Sequence, residues 1–196
     1  MAGGRGDRMG RNKAALPVDA TTLAELIVAR LRPVVAEILV CANDPEAVPT
    51  ALRPDLVVDL HPGLGPLSGI EAALSQAKGS MVFCLACDMP RVTPELVTFL
   101  ISMSTGQDAV VPLVGGRLQT TCAVYSRRLI PLVSAALAAG RPSVHRALME
   151  WRTTGVATVS ILEADQLEAM GFGPELFVNL NTPAEYEQYR RSSGLA

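Results

Sequence analysis

"SMVFCLACDMPRVTPELVTFLISM", residues 80–103, reads as strand, loop and helix in that order. The run through Met81 to Ala86 is apolar without alternation, the mark of a strand covered on both faces. Asp88 ends it. Thr93 is placed to cap a helix and Pro94 to occupy its first position, where a missing N–H costs nothing. The loop between is where an α/β sheet holds its ligand, because ligands of such sheets lie at the carboxyl ends of the strands.

The same alternation extends in both directions. "EILVCAN" (37–43) reads as a strand, "PEAVPTALR" (45–53) as a short helix or turn, and "DLVVD" (55–59) as a strand. "LSGIEAALSQAK" (67–78) has helical apolar spacing. "DAVVPLV" (108–114) and "TCAVYS" (121–126) are strands around a Gly-Gly-Arg turn. "RRLIPLVSAALAAG" (127–140) is a helix stopped by Gly140. "GVATVSIL" (155–162) and "FVNLN" (177–181) read as strands. Thr182-Pro183-Ala184-Glu185 is a capping box that opens a last helix. Continuous apolar strands alternating with helices predict one α/β domain over residues 1–196, with a mostly parallel central sheet between two helical layers.

Composition narrows the function. The chain has 196 residues, 49% of them hydrophobic, which suffices for one sizeable core. A formal charge of -2 argues against a nucleic-acid surface. No run of 18 apolar residues or signal-peptide pattern is present, so the expectation is a cytoplasmic protein. Cys84 and Cys87 form a CxxC within a strand, where residues three apart point to opposite faces, so both are expected to pack rather than share a metal. His61 and His145 read as surface or loop residues.

"MAGGRGDRMGRNK" (1–13) is the one glycine-rich stretch with interleaved cations. It is not a Walker A loop, since Gly4 and Gly10 are too far apart and Arg11 follows Gly10. It is not a dinucleotide fingerprint either, because Met9 stands where the third glycine belongs. Glycine N–H groups can still approach phosphate oxygens, with Arg8 forking onto two of them and Lys13 adding a point charge. Asn43, Asp59, Asp88 and Asn181 each follow a predicted strand. Asp88 offers the hard oxygen that Mg²⁺ prefers. Asn181 is either a further carbonyl ligand or a turn residue before the Thr182 cap. Arg117, Gln119, Arg141 and Arg146 are either a phosphate-binding face or a solvated one.

Four stretches carry a resemblance. "AGGRGDRMGRNKAAL", "GPLSGI" (65–70), "CDMP" (87–90) and "FVNLNTPAEY" (177–186) together resemble the molybdenum cofactor guanylyltransferases, the MobA-like nucleotidyltransferases, across essentially the whole chain. The resemblance implies a Rossmann-like three-layer sandwich of the nucleotide-diphospho-sugar transferase type. It implies transfer of GMP from GTP to molybdenum-molybdopterin, with Mg²⁺ as cofactor. Arg8, Lys13 and Asp88 are then catalytic. Ala2, Gly3, Gly4, Lys13, Asn43, Asp59, Gly65 and Asp88 bind GTP, and Asp88 with Asn181 holds the metal. Further partners implied are proteins of molybdenum-cofactor synthesis or its acceptors. The alternatives are a cytidylyltransferase, a different cofactor guanylyltransferase, or a non-catalytic nucleotide-binding protein of the same fold.

Two departures stand out. Gly6 occupies the position of the family's loop serine. Met1 stands where the family has the leucine that ends its first central strand. The expectation is that the native chain begins upstream, with roughly six apolar residues, a typical strand length, before Met1.

Overall fold

The computed structural model describes residue 1 and residues 13–192. Ala2, Gly3, Gly4 and Arg8 therefore lie outside the described residues. Lys13–Ala15 is a 3₁₀ turn, followed by a hairpin of β1 (Pro17–Val18) and β2 (Thr21–Thr22). Then come α1 (Leu23–Leu31), β3 (Val40–Ala42), β4 (Leu56–Val58), α2 (Pro66–Gln76), β5 (Met81–Leu85) and α3 (Pro94–Ser102). The second half holds β6 (Ala109–Val114), β7 (Arg117–Leu118), β8 (Cys122–Ser126), α4 (Ile130–Ala138), α5 (Val144–Thr154), β9 (Val159–Glu163), α6 (Ala164–Ala169) and α7 (Pro183–Ser192).

Side-chain alternation along the strands builds the layers. In β5, Val82 and Cys84 join Leu67, Ile70 and Leu74 of α2, Val133 and Leu137 of α4, and Leu148 and Trp151 of α5. Met81, Phe83 and Leu85 point the other way, into a cluster with Leu31 of α1, Leu96 and Leu100 of α3, and Leu167 of α6. β6 divides in the same manner, Ala109 and Val111 against Val110. The result is the expected three-layer sandwich. Cys84 and Cys87 are free thiols, and burial pushes them up to about 12 and about 11.

Strand pairing is mixed, and among the described residues β3 and β4 form a pair separate from the five-stranded sheet of β5 to β9. β3 pairs parallel with β4, and β6 parallel with β9. β8 inserts between β5 and β6 and runs antiparallel to both, and β7 is antiparallel to β6. Connection length explains this: a parallel crossover needs a dozen or more residues, and the link from β6 through β7 to β8 is too short for one. "FVNLN" is not a strand. Its start is a 3₁₀ turn, Pro174–Phe177, and the Leu180 N–H donates to the Asp88 carbonyl at 2.8 Å instead of to a ladder.

The sequence reading passed over α1 and the hairpin before it. Their signal was present: Thr22 and Glu25 form a capping box, with Thr22 N–H donating to Glu25 Oε2 at 2.8 Å. The hairpin matters for function because of what it packs on. Leu16, Val18 and Leu23 cluster with Leu180, Tyr186 and Tyr189 of the last segment and α7, and the Tyr186 hydroxyl donates to the Pro17 carbonyl. That cluster brings the two ends of the described chain together.

Candidate active site

The predicted residues sit on strand ends. β3 stops at Ala42 and Asn43 follows; β4 stops at Val58 and Asp59 follows; Asp88 lies just beyond β5. They gather into two groups.

The first group is Lys13, Asp88 and Asn181. Lys13 Nζ donates to Asp88 Oδ2 at 2.8 Å and to Asn181 Oδ1 at 2.9 Å. The Lys13 and Asp88 side chains are 20% and 15% exposed, so the pair is largely shielded from water. Asp88 Oδ1 is buried with no hydrogen-bond partner among the described residues. A buried carboxylate oxygen without a donor is costly, so this one calls for a partner beyond the described residues. Asn181 is held by Glu185, whose Oε2 accepts from the Asn181 N–H at 2.7 Å and the Thr182 N–H at 2.8 Å. Thr182 Oγ1 accepts from the Glu185 N–H at 3.2 Å, completing the predicted capping box.

The Asn181 and Thr182 N–H groups hold the Glu185 carboxyl below its ordinary value. Its contribution is therefore present above the ordinary Glu range and lost as the pH falls through the lowered folded value. Glu185→Ala is expected to release Asn181 and reduce turnover several-fold with a small loss of Tm. Glu185→Gln, which keeps one acceptor oxygen, is expected to retain most activity. Steady-state kinetics of the two variants tests this; equal losses would disconnect the cap from the site.

The second group is Asn43, Asp59 and the loop before α2. Asn43 Oδ1 accepts from the Gly63 N–H at 3.4 Å. Asp59 is only 7% exposed, and its Oδ1 has no partner among the described residues. Burial raises its carboxyl above the ordinary value, and the Met1 ammonium partly offsets this. Gly65 caps α2 at φ 78°, a left-handed conformation that favours glycine. At Gly69 a Cβ would lie 2.9 Å from Met1 Cε, the movable end of a flexible side chain, and at an ordinary contact distance of 3.6 Å from Asp59 Oδ1. Met1 thus packs beside Asp59, while its carbonyl accepts from the Cys87 N–H at 3.1 Å, one residue before Asp88. The two groups flank the same residue.

His61 is half-exposed in the loop, with Nε2 3.4 Å from Glu71 Oε2, and His145 is exposed on α5. Two residues of the second candidate face have partners within the protein. Arg141 pairs with both carboxylate oxygens of Glu150 at 3.1 and 3.0 Å, and Gln119 donates to the Val114 and Arg117 carbonyls. Arg117 and Arg146 are exposed.

This arrangement can grip an anion with Lys13, supply hard oxygens from Asp88 and Asn181, and accept hydrogen bonds at Asp59. Comparison with known proteins gives the family. The description "MobA-like NTP transferase domain" matches residues 1–155. A probable molybdenum cofactor guanylyltransferase of Carboxydothermus hydrogenoformans is 32% identical over 96% of this chain and 91% of its own. A protein of the same description from Pelotomaculum thermopropionicum is 34% identical over 97% and 89%. Among solved structures, molybdopterin-guanine dinucleotide biosynthesis protein A of Archaeoglobus fulgidus superposes with a TM-score of 0.80 at 22% identity, covering 98% of this chain and 96% of that one. A cytidylyltransferase of Thermus thermophilus, acting on 2-C-methyl-D-erythritol 4-phosphate, superposes at 0.69 with 20% identity over 93% and 94%, so the fold by itself is shared across nucleotide specificities. With that match over most of its length and relatives above 30% identity across nearly all of it, the chain belongs to the MobA-like NTP transferase family.

Proposed function

We propose that this protein is a molybdenum cofactor guanylyltransferase. The terminal phosphate oxygen of molybdenum-molybdopterin attacks the α-phosphorus of GTP. The bond to the bridging oxygen breaks, pyrophosphate leaves, and a guanine dinucleotide cofactor results. The attacking group is already an anion, so no strong general base is required, and the protein's work is positioning and charge neutralisation. The observation that carries the reading is Lys13 held between Asp88 and Asn181 beside the strand ends that bear Asn43 and Asp59.

Each residue has a part in this. Lys13 moves its contacts from Asp88 toward phosphate oxygens and neutralises the charge that builds on departing pyrophosphate. Asp59 accepts hydrogen bonds from the nucleoside, and Asn43 steadies the loop at Gly63 that lies beside it. The Asp88 and Asn181 side-chain oxygens fit Mg²⁺, which takes one or two protein oxygens and completes its shell with water and phosphate. Bound there, Mg²⁺ supplies Lewis-acid polarisation of the phosphate. Asp88 Oδ1, buried and unpaired among the described residues, is the donor best placed for it. No described helix is long and apolar enough to cross a membrane, and a cytoplasmic location follows from the proposed substrates.

The deciding experiment is pyrophosphate release with each NTP, with and without molybdopterin. Release only with GTP, Mg²⁺ and molybdopterin is expected. Equal release with CTP would place the protein among cytidylyltransferases, and none with any NTP would make it a binding protein. Lys13→Ala is expected to lower kcat by roughly 10²-fold. Its Tm should move by no more than about 4 °C, the size of a 1 kcal/mol change in a chain this long. Unaltered kinetics would remove Lys13 from the mechanism.

A further inference from the structure

α2 buries a carboxyl group that the mechanism above does not use. Glu71 is 3% exposed, on the helix whose Leu67, Ile70 and Leu74 enter the core and which packs against α4. Glutamate is almost never fully buried unless it is paired. One oxygen is paired: Ser134 Oγ of α4 donates to Glu71 Oε1. The other, Oε2, is buried and has no hydrogen bond among the described residues. What faces it is the His61 imidazole, with Nε2 at 3.4 Å, longer than a good N–H···O bond. A buried oxygen left short of a donor costs stability.

His61 is the pivot of the loop that runs from Asp59 to α2. Its N–H donates to Ser68 Oγ at 3.2 Å, and its carbonyl accepts from the Leu64 N–H at 3.3 Å. Between them the Gly63 N–H donates to Asn43 Oδ1 at 3.4 Å. Ser68 and Glu71 are three residues apart on α2, so they share one face of the helix. Ser68 takes the His61 backbone and Glu71 faces its ring. Leu60 and Leu64, on either side of the pivot, are 56% and 38% exposed, so apolar burial does not hold this loop down. Its polar contacts must do so.

We infer that Glu71 is a positioning residue: held by Ser134, it clamps His61 and so fixes the loop of residues 59–65 beside Asn43 and Asp59. Ser134 sets the orientation of the Glu71 carboxyl, Glu71 that of the His61 ring, and His61 the path of the chain from Asp59 to Gly63. The consequence for binding rests on the guanylyl-transfer reading, in which this loop lies beside the nucleoside. A loop fixed in advance lowers the ordering cost of binding. The nucleoside is held alike in the ground and transition states, so a loosened loop raises KM and leaves kcat nearly alone.

Hydrogen exchange at the Gly63 and Leu64 amides reads the clamp without any nucleotide, and the KM for GTP reads its use. Two changes are compared with their combination. One is His61→Ala. The other is Glu71→Met with Ser134→Ala, which removes both partners of the buried bond and strands neither. Each is expected to speed exchange at both amides by about 10-fold, and to raise KM by about 10-fold with kcat within about twofold. The combination should do no more than either alone, because both act through one contact. Effects that multiply would overturn the inference. So would a Glu71→Met/Ser134→Ala chain with a lowered Tm but unmoved exchange and KM, the mark of a purely structural carboxyl. If that chain does not fold, His61→Ala decides alone, and unchanged exchange and KM refute the clamp. A wild type that binds no NTP would refute the proposed function instead, and the exchange measurement would still decide the clamp.

Discussion

Replacing Asp88 with Asn is expected to slow guanylyl transfer by roughly 10²–10³-fold, or about 2.7–4 kcal/mol of transition-state stabilisation. The substitution keeps the shape and one carbonyl oxygen but removes the charge. Lys13 loses its ion-pair partner at 2.8 Å and retains Asn181 at 2.9 Å, so it stays near its place. Folding should survive, because Asn keeps the shape and Leu180 bonds to the Asp88 backbone carbonyl, which the mutation leaves intact. The distinguishing result is in the metal dependence: higher Mg²⁺ should recover part of the rate. Wild-type turnover at low Mg²⁺ would take Asp88 out of the mechanism.

Discrimination between nucleotides should be larger still. A buried acceptor matched to one nucleoside is left unpaired by another, and sites of that kind reject the wrong partner by up to about 10⁴-fold. On the proposed reading Asp59 is such an acceptor: it is buried, and one of its oxygens has no partner among the described residues. GTP should therefore exceed CTP and ATP in kcat/KM by that order, and Asp59→Asn should lose most of the margin. The same variant should be more stable than the wild type at neutral pH. Burial raises the Asp59 carboxyl above its ordinary value, so its ionised form disfavours the fold. The sign follows from linkage: the penalty is present above the raised folded value and disappears as the pH falls to the unfolded one, so the Tm gain should vanish in acid. Measuring Tm against pH alongside nucleotide selectivity checks both halves. A variant that keeps its selectivity would move recognition elsewhere in the loop.

Which parts of this were legible depended on distance along the chain. Thr93, Pro94 and the run before Asp88 specify strand, turn and helix through neighbours, and the structure reproduces them, with Thr93 accepting from the Leu96 N–H. The Thr182–Glu185 box was readable for the same reason. The direction of β8 was not, because its apolar run is as continuous as a parallel strand's; only the short link from β6 excludes that direction. Asn181 reads in the sequence as a ligand or a turn residue; in the structure its backbone serves the cap through Glu185 and its side chain meets Lys13. Arg141 looked like a free cation until its partner Glu150, one helix later, came into view. Side-chain pairing across elements is set by packing, which no local pattern encodes.

The bond between Lys13 and Asn181 joins residues 168 positions apart. It forms through the cluster of Leu16, Val18 and Leu23 with Leu180, Tyr186 and Tyr189, so it waits for α7. Contacts of such long separation form late, since the closure entropy must be met before they stabilise anything. During synthesis the chain emerges from its N-terminus, and earlier segments fold as they appear. Lys13 and Asp88 can meet once β5 is out, but the third partner is translated much later. A nascent or prematurely terminated chain would carry the sandwich without the finished cation cluster. On the proposed role of Lys13, catalytic competence is thereby tied to synthesis of α7, and a chain that lacks it is expected to be a poor consumer of nucleotide.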